Sequence, residues 1–290
     1  MDSTALRRLA GKMGLPLGTV ERDQAITLAL GVLAGQSFSR QMVFKGGTAR
    51  GKAYFHDYRV SEDLDFTLSA DVTEELLGSA KAFVRAGERA GVRFTGMKRD
   101  RTGRSGRRVL LRYEDLNGHA NSIRVEMSLR EKVLRTPELR RIHDPYGVLE
   151  DDLRIPTMVL PEILAEKVRA LHMRAKARDL YDLWRLLGQG VQVEKDLVEA
   201  KFGWWKPGMR YDAVLLADRV RGLEPLWERD LGLLVANVPP FERVAADVRS
   251  SFFRPFGGKA STASPRGNIH GKVDRVVSGK NRMPPGFRAP

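Results

Sequence analysis

The amino-acid sequence predicts an α/β protein whose second half is helical. In the first half, short runs of alternating apolar and polar residues, which are typical of strands, are interleaved with runs of helical spacing. From residue 160 onward the apolar residues recur only at helical spacing. The chain has 290 residues, 42% of them hydrophobic, and this is enough to build two subdomains.

Composition and charge narrow the class of protein. The net charge of +14 indicates a polyanionic partner such as a nucleic acid, although solubility alone tolerates it. The absence of cysteine and the five scattered histidines predict neither disulfides nor a thiolate or zinc site. Neither an apolar run of about 18 residues nor a signal-peptide core occurs. We therefore expect a cytoplasmic protein without membrane contact.

The N-terminal stretch predicts two helices. Leu6, Leu9 and Met13 recur at helical spacing, and Pro16 then interrupts the pattern. The run at 26–33 is apolar enough to lie in the core as a second helix.

A strand, a glycine turn and a helix are expected next. Val43 and Phe44 look like the end of a short buried strand. Gly46 and Gly47 allow a turn that side chains would obstruct. Thr48 then opens a helix whose free N–H groups can face an anion, so this turn is a candidate phosphate site.

The following strand carries two aspartates. Alternation along the strand puts Asp63 and Asp65 on one face, with Leu64 and Phe66 on the other. Carboxylates about 6 to 7 Å apart along a strand repel each other unless a cation lies between them. Mg²⁺ suits this position because it takes oxygen ligands and leaves room for substrate phosphates.

One helix and three strands complete the first half. The helix is expected at 72–90 and the strands at 92–98, 108–113 and 122–129, with turns at 102–106 and at Asn117-Gly118. Glu126 lies on the third strand, on the face opposite Val125 and Met127. It is either a solvent-facing residue or a third carboxylate beside the aspartate pair.

The second half predicts a series of helices. The first begins near Pro161, the second covers 178–187, and others are expected at 193–202, 211–222, 226–234 and 241–253. Asp179 and Asp182 share one helix face, and Lys167 lies on the preceding helix. Surface salt bridges to Arg174, Lys176 and Arg178 are the alternative interpretation of these aspartates. Packing roles are expected for Trp204, Trp205 and Trp227.

Four ordered motifs carry a resemblance to a known family. They are Lys45-Gly46-Gly47-Thr48, Ser61-Glu62-Asp63-Leu64-Asp65-Phe66, Glu126 on a later strand, and Glu166-Lys167 followed by Arg178-Asp179-Leu180-Tyr181-Asp182-Leu183. With this set the sequence resembles the AbiEii family of nucleotidyltransferase toxins, which includes the MenT toxins, over about residues 44–187. The resemblance implies a polymerase-beta-like nucleotidyltransferase fold, with a mixed sheet, flanking helices and a helical C-terminal part.

The resemblance also implies a function and its site residues. It implies a toxin of a toxin–antitoxin or phage-defence system that moves NMP from NTP onto an RNA 3′ end. The acceptor would be tRNA or another RNA, and the added nucleotide would block aminoacylation and translation. The antitoxin would be AbiEi-like or kinase-like. Nucleotide binding is implied for Lys45, Gly46, Gly47, Thr48 and Asp179. Catalysis is implied for Asp63, Asp65, Glu126, Lys167 and Asp182, of which Asp63 and Asp65 would ligate Mg²⁺ and Glu126 could help to place an ion.

Other acceptors and roles stay open at this point. The acceptor could be a protein side chain or a small molecule, or the chain could be a non-catalytic module that binds RNA or an antitoxin. Five arginines on or beside the hairpin expected between the strands 92–98 and 108–113 could guide RNA, or they could form a solvated loop: Arg99, Arg101, Arg104, Arg107 and Arg108. Phosphorylation of Ser61, next to the aspartates, could oppose triphosphate binding, or this hydroxyl merely caps a turn.

Three parts are therefore expected along the chain. Residues 1–155 would form the nucleotidyltransferase domain with its N-terminal helices, and 156–256 the helical domain. In residues 257–290 seven Lys and Arg face one Asp among Gly, Pro, Ser and Ala. This composition predicts a disordered basic tail, which either binds phosphate backbones or only improves solubility.

Overall fold

The structure of the protein is a computed structural model that describes residues 3–55, 59–60, 62–150 and 152–253. Two expectations, the regulatory role of Ser61 and the disorder of the tail at 257–290, fall outside the described residues.

Strands and helices alternate in the first part of the chain, and helices alone follow. The strands are β1 (Met42–Lys45), β2 (Asp63–Leu68), β3 (Arg93–Gly103), β4 (Gly106–Glu114), β5 (Ala120–Ser128), β6 (Glu138–Arg141) and β7 (Arg154–Thr157). The helices are α1 (Ser3–Met13), α2 (Leu17–Ala34), α3 (Gly46–Ala53), α4 (Thr73–Gly78), α5 (Ala80–Ala90), α6 (Leu160–Arg174), α7 (Ala177–Gly188), α8 (Lys195–Trp205), α9 (Ala213–Arg221), α10 (Trp227–Leu231) and α11 (Phe241–Val248).

The seven strands form one mixed sheet in the order β3-β4-β5-β2-β1-β7-β6. β2 pairs in parallel with β5, and β1 in parallel with β7, while the other neighbours are antiparallel. This sheet and the helices after it confirm the predicted fold class. β5, β2 and β1 lie next to one another near its middle, so residues distant in sequence meet there.

The helix expected at 72–90 is in fact two helices, α4 and α5. The break falls at Ser79, whose hydroxyl donates a 2.7 Å hydrogen bond to the carbonyl of Leu76. A serine that bonds to the preceding turn competes with the regular helical ladder, and Gly78 beside it weakens the helix further. The sequence expectation was based on the residues that bound the helix, Asp71 and Gly91, and therefore missed this internal break.

Two short strands, β6 and β7, were not expected. β6 is largely exposed, and its one apolar side chain, Leu139, is 61% exposed, so it lacks the alternation of a half-buried strand. β7 contains Pro156, which cannot donate to a sheet ladder and argues against a strand in sequence.

The described residues build two large hydrophobic clusters. The first packs α2 and α5 against the sheet, with Phe44, Phe66 and Phe83 among its buried side chains. The second is formed by the helices from α6 onward, around residues such as Phe202 and Trp227. Partly buried side chains of the first part, including that of Val43, pack against the second cluster. The division at residue 155 stays a prediction.

No helix in the described ranges is long and apolar enough to cross a membrane.

Candidate active site

Three neighbouring strands bring charged residues into one row across the sheet. Asp65 on β2 lies opposite Lys45 of β1 on one side and opposite Glu126 of β5 on the other. Two residues earlier, Asp63 lies opposite Arg124 of β5. Because adjacent strands are only about 4.8 Å apart, the carboxylates share one small region of the sheet face.

The glycine turn between β1 and α3 lies directly against Asp65. Gly46 has φ +77°, and a Cβ built there would come within 2.3 Å of Oδ2 of Asp65. Only glycine therefore fits here, for both its backbone conformation and its lack of a side chain. The hydroxyl of the buried Thr48 donates to the backbone carbonyl of Asp63, so this side chain joins α3 to β2.

Arginines neutralise two of the three carboxylates. Arg124 donates two hydrogen bonds to Asp63, at 2.6 and 3.0 Å. Arg108 on β4 donates to Glu126 at 3.1 Å from Nε and lies 2.9 Å from it through Nη2. Both are forked contacts of the kind that fix a carboxylate in place.

Asp65 has a raised pKa. Burial is the largest cause, and the charges of Asp63 and Glu126 raise the pKa further, while Lys45 opposes them. Repulsion from neighbouring negative charges makes a carboxylate easier to protonate. A bound cation relieves this repulsion and therefore stabilises such a carboxylate most.

The donor chemistry fits Mg²⁺, which prefers carboxylate oxygens. Asp63 and Asp65 would hold the ion and Glu126 could add a ligand. Within the described ranges, however, no three or more acidic or histidine side chains already stand in a cation-binding arrangement. Arg124 and Arg108 would therefore have to give up their carboxylates, and metal binding stays a prediction.

Lys167 on α6 lies between the cleft and two buried aspartates of α7. Its Nζ is 2.8 Å from Oδ1 of Asp179 and 2.9 Å from Oδ2 of Asp182. Asp182 also binds Arg59, at 2.8 and 3.0 Å, and Arg50. Of the partners considered in the alternative, Arg174 does pair with Asp179, at 3.0 Å, but both aspartates are fully buried and so do not form ordinary surface salt bridges.

These contacts lower the pKa of both aspartates. Burial alone would raise the pKa of Asp179, but Lys167 and Arg174 bring it down to about 2. Burial would likewise raise the pKa of Asp182, but Arg50, Arg59 and Lys167 hold it well below its usual range. Both aspartates are therefore anionic counter-ions that fix the position of Lys167.

Part of the candidate site lines an open cleft of about 660 Å³. Its walls carry more cations than carboxylates. The cations are Lys45, Arg101, Arg107, Arg108, Arg130, Lys167, Arg169 and Arg174, and the carboxylates are Asp65, Glu126, Glu131 and Glu166. Such a lining favours a polyanionic ligand.

The structure brings part of the expected site together in this cleft. Lys45, Gly46, Asp65, Glu126 and Lys167 line it, whereas Gly47, Thr48, Asp63, Asp179 and Asp182 do not. Asp182 was expected to complete the site directly, but it lies behind Lys167 and reaches the cleft only through that side chain. Of the five arginines considered as RNA guides, Arg101, Arg107 and Arg108 line the cleft.

Two cleft residues, Glu131 and Arg169, were not expected from the sequence, and Glu166 was part of a motif but was given no role. Glu131 bridges Lys45 and Arg169, and Glu166 lies 3.7 Å from Lys45. Glu166 and Arg169 are three residues apart on α6, and this helical spacing was the signal that could have found them. Trp227 is buried as expected.

The packing expectation holds less well for the two adjacent tryptophans of α8. Trp204 is 49% exposed. Trp205 lines the cleft.

Comparison with known proteins gives one family and several similar structures. The model of a family described as nucleotidyl transferase AbiEii toxin, type IV TA system, matches residues 29–248. No curated protein matches the sequence.

Three solved structures share the fold. MenT4, a nucleotidyltransferase toxin from Mycobacterium tuberculosis, is 23% identical, and the match covers 90% of this chain and 91% of that one with a TM-score of 0.67. JHP933 from Helicobacter pylori is 20% identical, with coverages of 82% and 91% and a TM-score of 0.52. A putative nucleotidyltransferase from H. pylori is 20% identical, with coverages of 82% and 94% and a TM-score of 0.54.

Proposed function

The chain belongs to the AbiEii family of nucleotidyltransferase toxins of type IV toxin–antitoxin systems, and from this membership we propose that it transfers NMP from an NTP to the 3′ end of an RNA. The acceptor we propose is the acceptor stem of tRNA. A nucleotide added there blocks aminoacylation and therefore translation.

The observation that carries this proposal is the carboxylate row within a basic cleft. Asp65 and Glu126 lie beside each other in a cleft whose other charged residues are mostly cations. Transfer of a nucleotidyl group needs charge neutralisation and positioning more than a nucleophilic side chain. Carboxylates for a metal ion, cations for phosphates and a glycine turn supply what the reaction needs.

In the proposed reaction, the 3′-hydroxyl oxygen of the RNA attacks the α-phosphorus of the NTP. The new P–O bond forms as the bond to pyrophosphate breaks, and the hydroxyl proton is lost to solvent. Mg²⁺ bound by Asp63 and Asp65 would neutralise phosphate charge and lower the pKa of the attacking hydroxyl. Lys167, held by its two aspartates, adds a fixed positive charge to the same cleft.

The acceptor would enter along the β3–β4 hairpin. Arg101, Arg107 and Arg108 project from this hairpin into the cleft and can pair with RNA phosphates without reading its sequence. We place the protein in the cytoplasm, where tRNA and NTP are available. A cognate antitoxin, AbiEi-like or kinase-like, is its expected regulator.

A labelling experiment tests this proposal. The purified protein is incubated with total RNA, Mg²⁺ and each α-labelled NTP in turn. We expect label in the tRNA fraction with at least one NTP. Label on protein alone would show that the acceptor is a protein and not RNA. Label on a small molecule alone would show that the acceptor is a small molecule. The absence of transfer with every NTP would contradict the proposed activity.

A further inference from the structure

One wall of the cleft contains two arginines that share a tryptophan. The guanidinium carbon of Arg130 lies 4.6 Å from the ring centre of Trp205, and that of Arg169 lies 4.5 Å from it. All three residues line the cleft, although they come from the segment after β5, from α6 and from the end of α8. The tryptophan therefore gathers two cations from separate elements at one place.

Neutral groups hold Arg130 from two sides. Its guanidinium donates to the backbone carbonyl of Trp205. Its own carbonyl accepts a 2.8 Å hydrogen bond from the indole N–H of Trp204. These contacts fix both the side chain and the backbone of this exposed arginine. Because the contacting groups are neutral, they do not neutralise its charge.

Most other cations of the cleft are already paired with carboxylates. Lys45 and Arg169 share Glu131, Arg107 pairs with Asp71, Arg108 with Glu126, and Lys167 and Arg174 with Asp179. Among the described residues, Arg130 and Arg101 are the cleft arginines without a carboxylate partner. Of these two, only Arg130 is held by Trp205, so its charge is both fixed and available to an anion.

A fixed guanidinium group without a carboxylate partner suits a polyphosphate. Guanidinium is planar, always charged, and able to make two parallel hydrogen bonds to phosphate oxygens. Arg130 and Arg169 line the same cleft as Asp65 and Glu126. A triphosphate with its α-phosphate at the carboxylate row could extend its outer phosphates toward this wall.

We propose that Arg130 binds the outer phosphates of the incoming NTP, and that Trp205 is a positioning residue for it. This inference rests on the proposed function, because it assumes that an NTP occupies the cleft. The same guanidinium group could instead bind a phosphate of the acceptor RNA, and the experiment separates these two sources.

The test measures binding without turnover. Dissociation constants are determined by calorimetry, in Mg²⁺, for the α,β-methylene analogues of the four NTPs, for the matching NMPs and for a single-stranded RNA oligomer. The variants are Arg130→Gln, Trp205→Ala and Trp205→Phe. The matched controls are Arg243→Gln, an exposed arginine of α11, and Trp184→Phe, a tryptophan outside the cleft.

We expect Arg130→Gln and Trp205→Ala each to weaken binding of the NTP analogue at least about tenfold, because a charge-assisted contact to phosphate is lost. Binding of NMP should change little, and Trp205→Phe should keep most of the affinity because it retains an aromatic ring. Thermal unfolding shows whether Trp205→Ala is folded, and Arg130→Gln and Trp205→Phe test the same claim if it is not.

The outcomes distinguish this inference from the proposed function. If no NTP analogue binds the parent protein, both are wrong. If an analogue binds the parent and Arg130→Gln equally well, only the phosphate assignment is wrong. An equal loss of affinity for the NTP analogue and for NMP, or a loss of affinity for the RNA oligomer alone, would also overturn the phosphate assignment. A loss in Arg130→Gln but not in Trp205→Ala would remove the positioning role of Trp205.

Discussion

Asp65 is the residue on which the proposed chemistry of the site depends most. It lies against the glycine turn, between Lys45 and Glu126, and its pKa is raised by burial and by neighbouring carboxylates. Such a group stores electrostatic repulsion in the metal-free protein. It is therefore a poor contributor to stability and a good candidate for a metal ligand.

Replacing Asp65 by Asn should lower the transfer activity without lowering the stability of the fold. We expect Asp65→Asn to lower nucleotidyl transfer at least about a hundredfold, because charge neutralisation at the phosphate is lost. The thermal unfolding midpoint in EDTA should stay the same or rise, because repulsion is relieved. The control is Asp218→Asn, an exposed residue of α9, which should change neither quantity. Unfolding of Asp65→Asn at a clearly lower temperature would contradict this account of its environment.

Asp179 should stabilise the fold in a pH-dependent way. Its pKa is about 2 in the folded protein, against about 3.9 in an unfolded chain. A lowered pKa means that the stabilisation is fully present above pH about 4 and is lost as the pH falls through about 2. The shift corresponds to about 2 to 3 kcal/mol.

Urea unfolding of Asp179→Asn across pH checks this prediction. The variant should be less stable than the parent at pH 7, and the difference should shrink between pH 5 and pH 2. Asp196→Asn removes an exposed carboxylate that also pairs with an arginine, and it should have little effect at any pH. A difference between Asp179→Asn and the parent that does not depend on pH would show that the carboxylate charge is not the cause.

At the scale of elements, the junction between β1 and α3 sets the position of Asp65. A strand, a glycine turn and a helix were predicted here from sequence, since glycines between a buried strand and a helix are a strong local signal. The contact between Gly46 and Asp65 was not predictable in this way, because it depends on the pairing of β1 with β2. Short or interrupted elements, such as β6, β7 and the α4–α5 break, were missed because their local patterns are weak.

Gly46→Ala should strain the backbone and, in addition, displace the side chain of Asp65. Gly208→Ala is a matched control, because Gly208 also has a positive φ, +80°, but a Cβ there meets nothing within 4 Å. Both changes should cost about 1 to 2 kcal/mol of stability through the left-handed conformation. Only Gly46→Ala should also weaken Mn²⁺ binding, measured by electron paramagnetic resonance without nucleotide, because it displaces Asp65. Equal Mn²⁺ affinity in the two variants would show that the close approach of Gly46 does not matter.

At the scale of the whole molecule, a buried ion-pair cluster joins the two hydrophobic clusters. Asp182 of α7 contacts Arg50 of α3, Arg59 and Lys167 of α6. The resemblance implied that Asp182 and Lys167 belong to one functional set, through their order in the chain, and this stays a prediction. It could not show that Asp182 is buried, because burial follows from the packing of α7 against elements more than a hundred residues earlier.

Asp182→Asn should therefore lose stability and activity together. Removing one partner of a buried charge cluster costs about 3 to 5 kcal/mol, because charges buried with it lose their counter-ion. Urea unfolding should show this loss, in contrast to Asp65→Asn, and transfer should fall because Lys167 is no longer fixed. If Asp182→Asn were as stable as the parent but inactive, Asp182 would act on the substrate directly, as the sequence first suggested.

The most direct test of the central claim compares two forms of the same RNA. Purified tRNA with intact 3′ ends and the same tRNA after periodate oxidation of its terminal ribose are each incubated with the protein, Mg²⁺ and labelled NTP. We expect label on intact tRNA only, and none from Asp65→Asn. Equal label on oxidised tRNA, or full activity of Asp65→Asn, would contradict transfer to a 3′-hydroxyl at this carboxylate row.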